Sequence, residues 1–280
     1  MRFTPSLGQA TAAILFLAAE SQCLAENDVV SSQAPLTSES FFCKDPPFRA
    51  QLISTSPLLI YLQDFLTQQE LQYLQKTSKT SLPSEPDSSE KTTHLSHRGN
   101  EVLQCIASRL HTFQGHRPPQ INLEAPELFR RSPSSLSPDT KPKKDSASNS
   151  HKTPKTDTST IHSTLHTWTF ANQTTPGLKT TGGTLTFPLI PSPITPTEES
   201  NAAWCPPTHD PLTPRILDCD APYSKGLTFL PVPGSAVYFL DSLPDGRYDR
   251  RTGHYTGEVT SGEVEGVVFR VGRRAWIEED

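Results

Sequence analysis

The chain has 280 residues, of which 34% are hydrophobic and 27 are prolines, and its formal net charge is −5 at neutral pH. This composition indicates a folded core interrupted by segments that cannot build one. The modest negative charge gives no basic surface for nucleic acid, so a DNA- or RNA-binding role is not expected.

The N-terminus has the pattern of a secretory signal peptide. Arg2 precedes the apolar run "TAAILFLAA" at 11–19, and Ala25 offers a small residue for cleavage. The run is too short for a membrane span, and no other stretch reaches that length. We therefore expect a signal peptide at 1–25, no membrane span after its removal, and a location in the endoplasmic reticulum lumen or outside the cell. An N-terminal core helix and an uncleaved anchor are the alternatives.

A polar segment at 26–49 precedes the first predicted elements. The run "LLIYLQDF" at 58–65 predicts a strand, and a helix follows in which Thr67 and Glu70 form a capping box. Leu66 and Leu71 are placed for a hydrophobic staple across this helix start. A polar loop is predicted at 77–93.

The stretch "NEVLQCIASRLHTFQG" predicts a second, amphipathic helix. Its apolar residues recur at steps of three and four, and Gly115 sits where a helix ends. The amino-acid composition then changes at 131–158, a stretch that is rich in Ser, Pro, Lys and Asp and has one aliphatic residue. We expect this stretch to be a disordered insertion, with a basic docking tail as the alternative.

Strand patterns dominate the C-terminal half. They are "STIHSTLHTWTFAN", "TGGTLTFPLI", two runs within "KGLTFLPVPGSAVYFL", and "GEVEGVVFRVGRRAW". Short strands separated by turn signals are typical of a sandwich or a double-sheet barrel. Two helices with apolar stripes must bury those stripes against such a layer.

Removal of the signal peptide would leave four cysteines. Cys205 and Cys219 bracket a proline-rich loop that a disulfide could close in an oxidising compartment, and their spacing matches no zinc motif. Cys105 lies in the apolar second helix and is expected to be simply buried. Asn172 begins the sequon Asn-Gln-Thr and is a candidate glycosylation site.

Several segments, taken in order, resemble the prolyl 4-hydroxylase branch of the Fe(II)/2-oxoglutarate dioxygenases, especially its fungal members of the endoplasmic reticulum. They are "STSPLLIYLQDFLTQQELQYL", "EVLQCIASRLHTFQG", "TGGTLTFP", "WCPPTHDPLTPRILDCD", "KGLTFLPVPGSAVYFLDSLPDGR" and "GHYTGEVTSGEVEG". The resemblance covers roughly residues 50–125 and 160–276. Each segment is weak evidence alone, and their order and spacing together are fairly specific.

The resemblance implies an α+β fold over residues 50–276, namely a double-stranded β-helix (jelly roll) with N-terminal supporting helices. It implies iron held by two histidines and one carboxylate, with 2-oxoglutarate as cosubstrate. Ascorbate would keep the iron reduced. A proline-containing polypeptide would be the substrate.

The residues that should carry this chemistry are incomplete. His254 matches the family's distal iron ligand, but none of the nine histidines begins a His-x-Asp or His-x-Glu motif. His151 with Asp157, or His162 with His166, are weak substitutes because neither pair has the family's spacing. Val264 occupies the position of the lysine that anchors 2-oxoglutarate. Arg270 shares the strand face of Val264, but at a distance of six residues we expect it to be too far away to replace that lysine.

Three hypotheses follow from this pattern. The chain is an active oxygenase with an unusual site, a non-catalytic relative that serves as a binding or scaffold module, or a gene model in which 131–158 replaces the true metal-binding strand. The third does not explain Val264, which lies in well-patterned sequence. We rank the non-catalytic relative first because iron held by one histidine would exchange readily.

Overall fold

A computed structural model describes residues 41–82, 89–115, 121–133, 160–171, 181–194, 204–205 and 215–274. All of them lie in one unit, Phe41–Asp280. The predicted signal peptide, most of the predicted insertion, the Asn172 sequon, and His151 with Asp157 lie outside the described residues.

The described residues form a sheet-rich α+β fold. Its helices are α1 (Gln68–Ser81) and α2 (Glu101–Phe113). Its strands are β1 (Arg49–Thr55), β2 (Leu58–Gln63), β3 (Glu90–His94), β4 (Ile121–Leu123), β5 (Glu127–Arg131), β6 (Thr160–Ala171), β7 (Thr181–Gly182), β8 (Leu185–Phe187), β9 (Leu227–Phe229), β10 (Ala236–Leu240), β11 (Tyr255–Thr256), β12 (Val259–Ser261) and β13 (Val264–Arg274). The α+β expectation and the predicted strand-rich C-terminal half agree with these elements.

The strands form one large sheet and two small ones. The large sheet has the order β1-β2-β10-β6-β13-β5-β3, and β4 also pairs with β13. The order β11-β8-β9 makes a three-stranded sheet, and β12 pairs with β7. Every pairing is antiparallel.

Side chains alternate across the large sheet and build a core on each of its faces. Leu165 and Val267 point towards a cluster that includes residues of both helices. Trp168 and Val268 point the opposite way, into a second cluster that includes residues of the three-stranded sheet. We call this second core the inter-sheet core. It is the environment of the candidate site.

The predicted start of α1 is confirmed. The Glu70 backbone N–H donates to Thr67 Oγ1 at 3.2 Å, and the Thr67 backbone N–H donates to Glu70 Oε2 at 2.7 Å. Leu66 and Leu71 are both buried in the same cluster, as a staple requires. At the end of α2, Gly115 has φ +70°, so its predicted place after the helix is also confirmed.

The loop predicted at 77–93 is wrong at both ends. Helix α1 continues to Ser81, because Ser78 is buried and its hydroxyl accepts a hydrogen bond from Arg130 Nη2 at 3.0 Å. Strand β3 begins at Glu90, because it pairs along its length with β5. The predicted insertion also starts too early, since Arg131 belongs to β5 and is paired on both sides.

The structure contains two disulfides among the described residues. One joins Cys205 to Cys219, the pairing that the sequence suggested. The other joins Cys43 to Cys105, so the expectation of an unpaired buried thiol at Cys105 is wrong. The fold brings Cys43 to helix α2 across a sequence separation of 62 residues, which local sequence patterns do not reveal.

A buried ion pair lies beside the Cys43–Cys105 disulfide. Arg109 Nη2 donates to Glu70 Oε1 at 2.8 Å, and Arg109 Nη1 donates to Glu70 Oε2 at 3.0 Å. The same guanidinium donates to the carbonyls of Phe65 and Lys44. This network ties the chain before β1 to both helices. Within the described ranges, neither helix has the length and apolar content needed to cross a membrane.

Candidate functional site

His254 lies at the edge of the inter-sheet core, just before β11. Its imidazole packs against Phe187 and Phe239, with ring centroids 5.4 and 5.1 Å away. His254 Nδ1 is 3.0 Å from the carbonyl oxygen of Thr252. When Nδ1 donates its proton to that carbonyl, Nε2 keeps the lone pair with which histidine binds metals.

The surroundings of His254 favour its neutral form. Burial lowers the pKa of His254, and the positive charges of Arg270 and Arg131 lower it further. The hydrogen bond to the Thr252 carbonyl opposes these effects. A neutral imidazole at physiological pH is the form that could ligate a metal, and it adds no charge to the core.

In the part of the chain that the structure describes, a complete iron triad does not form around His254. The described residues contain no group of three or more His, Cys, Asp or Glu side chains that could hold a metal ion. His162 and His166 both lie on β6, four residues or about 13 Å apart along the strand, so they cannot share one ion. Rings of Phe129 and Trp168 flank His166 at 5.0 and 5.1 Å. The described residues therefore do not fit the iron site that the resemblance implies.

Val264 closes the position of the expected 2-oxoglutarate anchor. It is fully buried in the inter-sheet core at the start of β13. A Cβ added at Gly183 would lie 2.6 Å from Val264 Cγ2 and 3.2 Å from Val259 Cγ2, so the backbone of Gly183 is already in close contact with both valines. A lysine side chain at 264 would therefore begin among buried apolar residues, where an ammonium group is costly to place.

Arg131 is a cation of this core that sequence reasoning missed. It stands directly opposite Val264 across the β5–β13 pair. Its guanidinium carbon lies 5.2 Å from the centroid of the Phe129 ring, and its Nη2 donates to Glu90 Oε1. Cross-strand partners share a face of the sheet, so Arg131 borders the same core as Val264. No local pattern could have predicted a pairing between residues so distant in sequence.

Arg270 and Asp241 are two further charged residues that act on each other, and Arg270 also acts on His254. Arg270 Nη2 donates to Glu127 Oε2 at 3.0 Å, and the Thr164 hydroxyl donates to Asp241 Oδ2 at 2.6 Å. Burial raises the pKa of Asp241 to about 7, against the lowering effects of the Thr164 hydrogen bond and of Arg270. Asp241 thus binds a proton in the folded state at pH values where an unfolded aspartate is ionised.

We expect Asp241 to make stability depend on pH. Because its folded pKa lies above the unfolded value, its stabilising contribution is complete below about pH 4 and is lost as pH rises towards and through about 7. The unfolding free energy of Asp241→Asn should therefore fall less between pH 5 and 8 than that of the unchanged chain. Urea unfolding at several pH values measures this, and equal slopes for the two proteins would contradict it. Asp245→Asn, an exposed carboxylate whose pKa is lowered, is the control.

Together these elements define an α+β protein in which the large sheet and the small sheets enclose an apolar core, with His254, Arg131 and Arg270 among the polar residues at its border. No protein-family model matches the sequence, and no curated protein matches it.

Three solved structures resemble the chain in part. The viral collagen prolyl hydroxylase vCPH from Paramecium Bursaria Chlorella virus-1, in its 2OG complex, has TM-score 0.47 and 17% identity, covering 77% of this chain and 96% of that one. A truncated form of that hydroxylase has TM-score 0.46 and 19% identity, covering 85% of this chain and 99% of that one. EvdO2 from Micromonospora carbonacea var. aurantiaca has TM-score 0.40 and 13% identity, covering 79% of this chain and 89% of that one. All three TM-scores are below 0.5, so the function of this chain is inferred from its own residues.

Proposed function

We propose that the chain is a non-catalytic relative of the Fe(II)/2-oxoglutarate dioxygenases that acts as a polypeptide-binding module in the secretory pathway. The observation that carries this proposal is Val264, fully buried against Gly183 where the resembled family places its 2-oxoglutarate lysine. The described residues contain no group of three or more His, Cys, Asp or Glu side chains that could hold a metal ion, which supports the same proposal. Without a bound metal and a held cosubstrate, the family's reaction has no means to proceed.

The jelly roll is the finer fold that we infer. Its support is the large antiparallel sheet facing the small sheets across the inter-sheet core, with both helices packed on the other face of the large sheet. Two disulfides agree with an oxidising compartment, and hence with secretion or retention in the endoplasmic reticulum.

The polypeptide would be proline-containing, as the sequence resemblance implies. A suitable contact surface lies at one end of the β8–β9 pair, where Leu189 is 62% exposed and Tyr223 is 53% exposed. Their segments are adjacent, because the Leu227 N–H donates to the Ile190 carbonyl and Gly226 approaches Pro188. Exposed aromatic side chains bind proline-rich segments, which are pre-ordered and lose little entropy on docking.

The test combines turnover and binding on the purified chain. With added Fe(II), ascorbate, 2-oxoglutarate and a Pro-Pro-Gly repeat peptide, we expect no decarboxylation of 2-oxoglutarate above the protein-free rate. The same peptide should bind in calorimetry, and Tyr223→Ala should weaken it at least about tenfold, as the loss of an aromatic anchor does. Leu52→Ala removes a similarly exposed apolar side chain from β1 and serves as the matched control.

Two results would overturn the proposal. Decarboxylation that disappears in His254→Ala would establish an active oxygenase whose remaining ligands lie outside the described residues. Absence of peptide binding would contradict the binding role. Equal losses of affinity in Tyr223→Ala and Leu52→Ala would show that the peptide does not bind at the proposed surface.

A further inference from the structure

We propose that the Cys43–Cys105 disulfide is a site of reversible thiolation, at which a low-molecular-weight thiol of the glutathione class forms a mixed disulfide with Cys43. Cys105 is the leaving group of this exchange and the thiol that later reverses it. The site lies between helix α2 and the segment that precedes β1, on the helical side of the large sheet. It does not rest on the proposed polypeptide-binding function.

The two cysteines of this disulfide differ in their access to solvent. Cys43 is exposed, whereas Cys105 is only 3% exposed. A groove of about 350 Å³ lies at the bond and is bordered by Phe41, Cys43, Glu101, Gln104, Cys105 and Ser108. Thiol–disulfide exchange begins with the attack of a thiolate on one sulfur, and access decides which sulfur is attacked. The geometry therefore favours attack on Cys43, with Cys105 departing.

The environment of Cys105 suits it to leave. Arg109 Nη2 donates to Cys105 Sγ at 3.6 Å. The same guanidinium is fixed in place by Glu70 and by two backbone carbonyls. A positioned cation stabilises the negative charge that develops on a departing sulfur. Glu70 and Asp45 already balance the charge of this guanidinium, so the departed sulfur takes a proton from solvent and remains as a thiol.

The exchange conserves electrons and needs no external oxidant. The thiolate of the small thiol forms a bond to Cys43 Sγ, and the electron pair of the Cys43–Cys105 bond goes to Cys105 Sγ, which takes up a proton. In the reverse step, deprotonated Cys105 attacks Cys43 Sγ and expels the small thiolate.

Contacts other than the disulfide hold the segment before β1 on the helices. Arg109 Nε donates to Asp45 Oδ1 at 3.2 Å. The Phe48 ring packs edge-on against the rings of Phe65 and Phe113, with centroids 5.3 and 6.1 Å away. Opening of the bond therefore leaves the two cysteines close together, and the adduct remains reversible.

The second disulfide provides an internal comparison. Cys205 and Cys219 are both half-buried. Cys219 Sγ lies 3.5 Å from the carbonyl oxygen of Leu217 and 3.8 Å from that of Trp204. Because carbonyl oxygens carry partial negative charge, they disfavour negative charge on a departing Cys219 sulfur. We expect this disulfide to open more slowly than Cys43–Cys105.

The experiment follows both disulfides of the full, folded chain in millimolar reduced glutathione. Samples are quenched in acid and free thiols are alkylated. Peptide mass spectrometry then locates the glutathione and measures the opening of each bond. We expect glutathione on Cys43 and the alkyl group on Cys105, with Cys43–Cys105 opening at least about tenfold faster than Cys205–Cys219.

Two matched variants test the groove. Gln104→Trp places a large side chain at an exposed position that borders the groove, and it should slow the opening of Cys43–Cys105 at least about fivefold by hindering access. Gln72→Trp makes the same change at an exposed position of α1 outside the groove lining, and it should leave the rate unchanged. Because both glutamines are exposed, neither change disturbs the core.

The inference is overturned if glutathione is found on Cys105 instead of Cys43, or if no adduct forms on Cys43 within hours, the slow end of disulfide exchange. It is also overturned if the two disulfides open at the same rate, or if Gln104→Trp and Gln72→Trp open at the same rate. None of these results depends on peptide binding or on turnover, so a failure here leaves the polypeptide-binding proposal to its own test.

Discussion

Replacing Arg109 by methionine is expected to lower the unfolding free energy by about 3–5 kcal/mol, because the change leaves the buried carboxylate of Glu70 without its counter-charge. Both side chains are almost completely buried, and two Arg109 nitrogens bond to the two Glu70 oxygens. The change also removes donors to the carbonyls of Phe65 and Lys44. Urea unfolding with intact disulfides, followed by tryptophan fluorescence, measures the loss.

Two further variants isolate the cause. Arg247→Met breaks an exposed ion pair with Asp245 and should cost less than about 1 kcal/mol. The double variant Arg109→Met with Glu70→Gln should lose less than the single Arg109→Met, because no unpaired charge stays buried. Glutamine keeps an acceptor for the Thr67 N–H, so the capping box is preserved. Equal losses in Arg109→Met and Arg247→Met would refute this account.

Val264→Lys should be the most damaging single change at the candidate site. We expect a loss of about 4 kcal/mol at pH 7, which corresponds to a lysine pKa lowered by about three units through burial. The new ammonium would also face Arg131 directly across the strand pair. The loss should shrink at about pH 10, where the buried lysine is neutral and the unfolded lysine is only partly charged.

The control for this change is Val264→Met, which adds similar length without charge. Overpacking against Gly183 should cost it about 1–3 kcal/mol, and that cost should not vary with pH. Adding Arg131→Met to Val264→Lys should recover part of the stability by removing the facing charge. If Val264→Lys is as stable as Val264→Met at pH 7, the position has kept room for a charged anchor. Val264 would then not close the cosubstrate position, against the proposed function.

Arg109→Met and Val264→Lys change residues in different parts of the fold. Arg109 connects the helices to the chain before β1, far from the inter-sheet core in the packing of the fold. Val264 lies within that core.

Local features of the fold could be predicted because the residues that produce them are neighbours in the sequence. Thr67 and Glu70 form the capping box within one helical turn, and Gly115 ends α2 through its own backbone conformation. Alternating patterns predicted β6 and β13, since the two faces of a buried strand meet different partners. The loop predicted at 77–93 is wrong because its two ends are ordered by partners elsewhere in the chain. Arg130 bonds to Ser78 in the last turns of α1, and β5 pairs with β3.

By itself, the sequence determined the helix starts, the main strands, the position of His254 and the absence of a His-x-Asp motif. Only the tertiary structure decided which charges share a core. Arg109 reaches Glu70 across 39 residues, and Arg131 reaches Val264 through the register of β5 on β13. The physical reason is that capping and alternation depend on adjacent residues, whereas sheet order and register are fixed by the burial of whole strand faces. The sequence thus shows a valine at position 264, and only the sheet register shows that Arg131 lies opposite it.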